Sequence, residues 1–188
     1  MNKIILASQS PRRKQLLEWA EVPFEVIVKE TDERFPPGLD PVEVPVCIAR
    51  NKAIAVQQLI NPGEIILAAD TIVVIGDNIL GKPVHREDAI SMLLALSGEK
   101  HKVITGVVIR KGDREIAFAD ITEVEFHLLP VKEIEFYVDK YKPFDKAGAY
   151  AIQEWIGVVG IKSIHGDFYN VMGLPVSRVV RELKKLIG

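Results

Sequence analysis

Ile4-Ile5-Leu6-Ala7-Ser8-Gln9-Ser10-Pro11-Arg12-Arg13 decides the reading of the fold, because it passes from one kind of order to another within a few residues. Ile4 to Ala7 is an apolar run of strand length. Ser10 is a good helix cap, and Pro11 suits the first helical position, where its missing N–H would be unpaired anyway. The helix that follows carries Leu16, Leu17 and Ala20. A buried strand feeding a helix is the opening of an α/β chain, and the residues beyond it keep to that pattern.

Phe24 to Val28 reads as a second strand, and Lys29 to Asp40, with its acids, two prolines and Gly38, as a long loop. Pro41 to Ile60 reads as a helix stopped by Asn61-Pro62-Gly63, and Ile65 to Ile75 as a strand ending in the turn Gly76-Asp77-Asn78. Ala89, Met92, Leu93 and Leu96 share one face of a helix over Arg86 to Leu96. Val103 to Ile109 and Ile116 to Leu128 pair as a hairpin around Lys111-Gly112-Asp113, Val131 to Tyr141 is helical, and Val158 to Ile164 is a strand. The last helix presents Val176, Val179, Val180, Leu183 and Ile187 on one face. Crossover-length and hairpin-length connections together imply an α/β protein with a mixed sheet. No internal repeat, low-complexity tract or linker interrupts the chain.

The bulk properties narrow the classes. A chain of 188 residues with 48% apolar and 27% charged residues is ordinary globular composition and excludes a disordered protein. A net charge of −2, from 24 basic and 26 acidic residues, argues against nucleic acid as partner. No apolar run reaches the ~20 residues of a membrane span. The run at Met1 to Ala7 is too short for a signal peptide. Cys47, the only cysteine, allows neither an internal disulfide nor a thiolate cluster and reads as a packed helix residue. A cytoplasmic protein is expected.

Four segments could carry chemistry. At the start of the first helix the free N–H groups and positive dipole end meet the hydroxyls of Ser8 and Ser10 and the guanidinium groups of Arg12 and Arg13, which makes a phosphate cradle with Arg13 facing solvent. The plainer alternative is a capped helix with two solvated arginines. Asp70 ends the apolar run Ile65 to Ala69, where ligands gather at strand ends, and hard oxygen ligands of this kind suit magnesium or manganese; a turn acid is the alternative. Glu30 and Asp32 read as loop acids. Lys52 and Lys82 read on local grounds as solvated, and no GxxxxGK[ST] pattern surrounds Lys82. Lys146-Ala147-Gly148-Ala149-Tyr150-Ala151-Ile152-Gln153 is either a place where backbone approaches a ligand or a packed turn. The amide of Gln153 can both donate and accept, as base reading requires. His85, His101, His127 and His165 lack HExxH spacing, and no GxSxG elbow is present.

Together these segments resemble the Maf family of nucleotide pyrophosphatases. The matching stretches are Leu6 to Arg13, Glu33 in its acidic loop, Ala49-Arg50-Asn51-Lys52-Ala53, Ala69-Asp70-Thr71 and Gly81-Lys82-Pro83. They continue through Leu96-Ser97-Gly98 with Thr105-Gly106, Lys146 to Gln153, and Val171-Met172-Gly173-Leu174-Pro175, in the family's order and spacing.

The resemblance implies an elongated mixed β-sheet with flanking helices, two lobes around a cleft as in inosine triphosphate pyrophosphatases, one domain over residues 1–188, and often a homodimer. It implies hydrolysis of a nucleoside triphosphate to monophosphate and pyrophosphate with a divalent metal, Mg²⁺ or Mn²⁺. Asp70 would be the proton acceptor. Ser8, Ser10, Arg13, Lys52 and Lys82 would bind phosphates, and Glu33 and Asp70 the metal. The dTTP/UTP branch has Arg, Thr and Gln where the 7-methyl-GTP branch has an aromatic, Gln and Glu; Arg12, Thr71 and Gln153 match the first. Glu154-Trp155 departs from that branch, which more often has a glycine after the glutamine. The rival readings are a purine triphosphate pyrophosphatase of the inosine type and a non-catalytic nucleotide-binding regulator of septum formation.

Overall fold

A computed structural model describes residues 3–187. Met1 and Asn2, the head of the short N-terminal run, lie outside the described residues, as does the side chain of Ile187, which the sequence assigns to the apolar face of the last helix. The elements are β1 (Ile4–Leu6), α1 (Pro11–Trp19), β2 (Phe24–Val26), α2 (Glu43–Gln57), β3 (Ile65–Ile75), β4 (Asn78–Leu80), α3 (Arg86–Leu96), β5 (Lys100–Lys111) and β6 (Arg114–Phe126). They continue with α4 (Val131–Tyr141), a 3₁₀ turn (Ala147–Ala149), α5 (Trp155–Gly160), β7 (Ile161–His165), α6 (Phe168–Met172) and α7 (Val176–Ile187). Among the described residues the strands form one seven-stranded sheet in the order β2-β1-β3-β5-β6-β7, with β4 paired to β3. The mixed α/β reading therefore holds.

The chain divides into two compact units. Of the described residues, the first comprises 3–71, 105–120 and 173–187, and the second 72–104 and 121–172. In the first unit β1 pairs in parallel with both β2 and β3, Ile5 lying opposite Glu25 and Ile66. Parallel neighbours need crossovers, which α1 and α2 supply. Ile5, Ala7, Val46, Ala49, Ala53, Val56, Ile66, Ala68 and Val108 pack into the core of this unit. Burying a side chain of the size of Val56 or Ile66 stabilises the fold by about 1.5–3 kcal/mol. The cap of α1 is as read: the Arg13 N–H donates to Ser10 Oγ at 3.5 Å. Helix α2 starts later than Pro41, because Asp40 holds the preceding turn. Its carboxylate accepts from the Val42 N–H at 2.8 Å and its carbonyl from the Val44 N–H at 3.2 Å.

In the second unit β4 and β7 add antiparallel edges, Val73 lying opposite Leu80 and Val124 opposite Ile164. Its core includes Leu93, Leu96, Phe126, Ile134 and Tyr137. Helix α3 has the bounds read from periodicity, and α4 the bounds read from the sequence. The strand read over Val158 to Ile164 is wrong in its first half: α5 occupies residues 155–160 and β7 begins only at Ile161. The Glu154 carbonyl accepts from the N–H groups of Gly157 and Val158, at 2.9 and 3.2 Å, and this starts a helical turn despite the β-branched Val158-Val159. Strand β4 and helix α6 were not read from the sequence, and β2 stops at Val26 rather than Val28.

Candidate active site

The first unit collects most of the singled-out residues around the end of β1, the start of α1 and the middle of β3. Ser8 comes from the β1–α1 turn, Arg12 and Arg13 from the first turn of α1, Lys52 from α2, Asp70 and Thr71 from β3, Thr105 from β5, and Glu33 from the acidic loop. Arg13 is only 8% exposed. Its Nε donates to the Gly173 carbonyl at 2.8 Å, one terminal nitrogen to Ser8 Oγ at 3.0 Å and the other to Thr71 Oγ1 at 3.0 Å. Thr71 Oγ1 also lies 2.9 Å from Thr105 Oγ1, and the Ser10 N–H donates to Ser8 Oγ at 3.3 Å.

This corrects the expectation of a solvent-facing Arg13. The planar fork ties three stretches of chain together, which a solvated side chain could not do. Burial pulls its pKa below the ordinary value, the charge of Asp70 opposes this, that of Arg12 adds to it and that of Glu33 opposes it. An arginine stays protonated through such a shift.

The second feature is a shared cation. Lys52 Nζ lies 2.7 Å from Asp70 Oδ1 and 2.8 Å from Glu33 Oε1. The Lys52 and Asp70 side chains are 17% and 14% exposed, Glu33 half-exposed. Lys52 is thus a paired lysine rather than the solvated one that local reading favoured, and Asp70 stands in the middle of β3, neither at the strand end where the sequence put it nor in a turn, because the strand continues through Thr71 to Ile75. Two carboxylates that converge on one ammonium form a slot for positive charge. Among the described residues no group of three or more His, Cys, Asp or Glu could hold a metal alone. Mg²⁺ commonly takes one or two carboxylates and completes its shell with water and substrate phosphates, so Glu33 and Asp70 fit such an ion.

The second unit holds the other two. Lys82 and Gln153 are both exposed. Their segments are joined through the Gly148 N–H, which donates to the Gly81 carbonyl at 3.0 Å. Gly148 has φ +67, and a Cβ there would meet Val73 Cγ2 at 2.9 Å, so the stretch is both a packed turn and a close approach to β3. Glu154, the departure from the branch pattern, is bound inward: the Tyr137 hydroxyl donates to its Oε2 at 2.5 Å and Lys146 Nζ lies 3.3 Å from its Oε1. Of the histidines, His85 caps α3 by accepting from the Asp88 N–H at 3.2 Å, and His101 is buried in the core beside Tyr150. Cys47 is half-buried on α2. The roles of Thr105, of the Gly173 carbonyl and of Tyr137 were not read from the sequence, although Thr105 and Gly173 stand in two of the quoted motifs.

The family profile described as Maf-like protein matches residues 3–186. The chain belongs to the Maf family. A dTTP/UTP pyrophosphatase of Bacteroides fragilis (strain YCH46) is 50% identical over 185 residues, covering 98% of this chain and 96% of that protein. A dTTP/UTP pyrophosphatase of Cytophaga hutchinsonii is 52% identical over 185 residues, covering 98% of this chain and 84% of that one. Among solved structures, a HAM1 protein from Coxiella burnetii superposes with a TM-score of 0.51 at 15% identity, covering 98% of this chain and 100% of that one, a likeness of fold. The Maf assignment agrees with the resemblance carried by the N-terminal motif, Asp70 and the Lys146 to Gln153 stretch. No helix among the described residues is long and apolar enough to cross a membrane.

Proposed function

We propose that this Maf protein hydrolyses dTTP and UTP to the nucleoside monophosphate and pyrophosphate, with Asp70 as the proton acceptor. The observation that carries the proposal is the pairing of Lys52 with both Asp70 and Glu33, beside the start of α1. Relatives about half identical in sequence and named for this activity support the choice of substrates.

A triphosphate is a better partner for Lys52 than two carboxylates, because it carries more charge. When phosphate oxygens draw the ammonium away, Asp70 Oδ1 is left to accept a proton from the water that attacks the α-phosphorus. Pyrophosphate departs with the bridging oxygen. Ser8, Ser10 and the N–H groups at the start of α1 donate to phosphate oxygens. Arg13 offers the two N–H groups left on its fork, and Lys82 adds charge. Glu33 and Asp70 would hold Mg²⁺ or Mn²⁺, whose charge offsets that built up on the phosphoryl oxygens. Arg12, Thr71 and Gln153 select the base, the carboxamide of Gln153 pairing with the carbonyl and N3–H edge of a pyrimidine. Thr71 would act through Arg13, to which it is bound. Residues 1–188 work as one functional domain in this reading, in the cytoplasm, on a nucleotide pool.

The test is kcat/KM for dTTP, UTP, ITP, GTP and 7-methyl-GTP with Mg²⁺ or Mn²⁺ present. Preference for dTTP and UTP is expected; preference for ITP would make the protein a purine triphosphate pyrophosphatase, and binding without turnover of any of them would make it a regulator.

A further inference from the structure

Tyr137 is fully buried in α4 and stacks on Tyr141 with ring centroids 5.0 Å apart. Its hydroxyl makes two bonds to the same short stretch: it donates to Glu154 Oε2 at 2.5 Å and accepts from the Ala151 N–H at 3.3 Å. Burial, reinforced by the Glu154 carboxylate, raises the Tyr137 pKa, so the hydroxyl keeps its proton and remains a donor. The other oxygen of Glu154 lies 3.3 Å from Lys146 Nζ, and that ammonium is 2.8 Å from Asp145 Oδ1. Lys146 is 7% exposed. The stretch 146–154 is thereby closed on itself by an ion pair and anchored from beneath at residues 151 and 154. Ile152, between the anchors, is 4% exposed and points into the core. Gln153 is the one residue of this span between Ala151 and Glu154 that faces solvent.

We propose that Tyr137, Glu154 and Lys146 are positioning residues for pyrimidine selection, fixing the backbone on which the Gln153 carboxamide is presented. This rests on the reading of Gln153 as the base-selecting residue. A packing role alone does not account for the choice of groups. A largely buried ammonium–carboxylate pair costs desolvation that well-packed apolar residues would avoid, and its attested use is to hold one conformation against others. An amide that must both donate and accept to one base edge has to be presented at one angle, because a hydrogen bond weakens steeply as it bends. The bonds converge where that angle is set, on either side of Gln153.

The experiment compares wild type, Tyr137→Phe, Gln153→Ala and the double variant, reading kcat and KM for dTTP and GTP together with Tm. Tyr137→Phe keeps the ring stack and deletes both hydroxyl bonds. It is expected to lower the dTTP-over-GTP ratio of kcat/KM by about 5–10-fold, the worth of one misdirected hydrogen bond. The loss should fall on the KM for dTTP, with kcat within about 2-fold of wild type, and should vanish in the Gln153→Ala background. Glu154→Gln, whose single carbonyl oxygen can accept from Tyr137 only with its NH2 turned to the Lys146 ammonium, should lose part of the ratio, and Glu154→Ala should lose more; these two decide the matter should Tyr137→Phe fail to fold. An unchanged ratio in Tyr137→Phe and Glu154→Ala, with a changed one in Gln153→Ala, would overturn the positioning role and leave the base reading intact. An unchanged ratio in Gln153→Ala would overturn both. A loss that persists in the double variant would mean that Tyr137 does not act through Gln153, and would also refute the inference.

Discussion

Replacing Arg13 by alanine should destabilise the protein as well as slow it. The guanidinium makes three hydrogen bonds, to the Gly173 carbonyl, Ser8 Oγ and Thr71 Oγ1, and the side chain is 8% exposed. A hydrogen bond to a charged group contributes about 1.5–3 kcal/mol net. Two of the three acceptors keep a second partner in the variant, since Ser8 Oγ still receives the Ser10 N–H and Thr71 Oγ1 still meets Thr105. The Gly173 carbonyl loses the guanidinium donor. The loss is therefore nearer two such bonds than three, about 3–6 kcal/mol. For a chain of this size each kcal/mol lowers Tm by about 2–4 °C, giving a fall of roughly 6–24 °C. Thermal unfolding followed by far-ultraviolet circular dichroism measures it without nucleotide, so that binding does not enter. Arg13→Lys should recover only part, because one ammonium cannot span three acceptors set around a planar fork. A fall below about 2 °C in Arg13→Ala, with turnover lost, would show that the three bonds hold nothing together and that Arg13 is simply a phosphate contact.

Asp70→Asn should fold, bind dTTP and turn it over ~10²–10⁴-fold more slowly, the usual worth of a positioned general base; near-normal turnover with metal present would remove Asp70 from the chemistry. Buried His101 has its pKa lowered from 6.5 to about 4 by desolvation, so the unfolded chain takes up its proton first as pH falls. Its contribution is present above pH 6.5 and is lost on acidification towards the folded value, about 3 kcal/mol in all. Urea unfolding between pH 7 and pH 4.5 should show that slope in wild type and a shallower one in His101→Gln. Gly106→Ala would place a Cβ 2.3 Å from the backbone of Pro45 and Val46, where neither strand nor helix can yield cheaply. Poor soluble expression or a loss above about 3 kcal/mol is expected on urea unfolding, and a wild-type midpoint would disprove the clash.

What could be read from the sequence was what neighbours in sequence decide. Helix α3 is bounded as periodicity gave it, α4 has the bounds read for it, and β3 spans the whole run from Ile65 to Ile75, because spacing and capping act over a few residues. Helix α5 was misread for the same reason. The β-branched Val158-Val159 has a strand preference, and the Glu154 carbonyl that starts the helical turn makes its effect only in the folded chain. At the site the cap at Ser10 was legible and the burial of Arg13 was not, since its partners Thr71 and Gly173 stand 58 and 160 positions away. Likewise Lys52 reads as a surface lysine until the fold brings Asp70, 18 positions on, within 2.7 Å of it. The family resemblance, not local chemistry, singled out Lys52, Glu33 and Lys82.

The most direct measurement is hydrolysis of dTTP in ¹⁸O-labelled water with Mg²⁺ or Mn²⁺, the products being resolved by mass spectrometry, for wild type and Asp70→Asn. Attack of water on the α-phosphorus, with Asp70 taking the proton, predicts dTMP carrying one ¹⁸O and unlabelled pyrophosphate from wild type, and almost no product from the variant. Label in the pyrophosphate, dTDP and free phosphate as products, or equal label and rate in Asp70→Asn would contradict it.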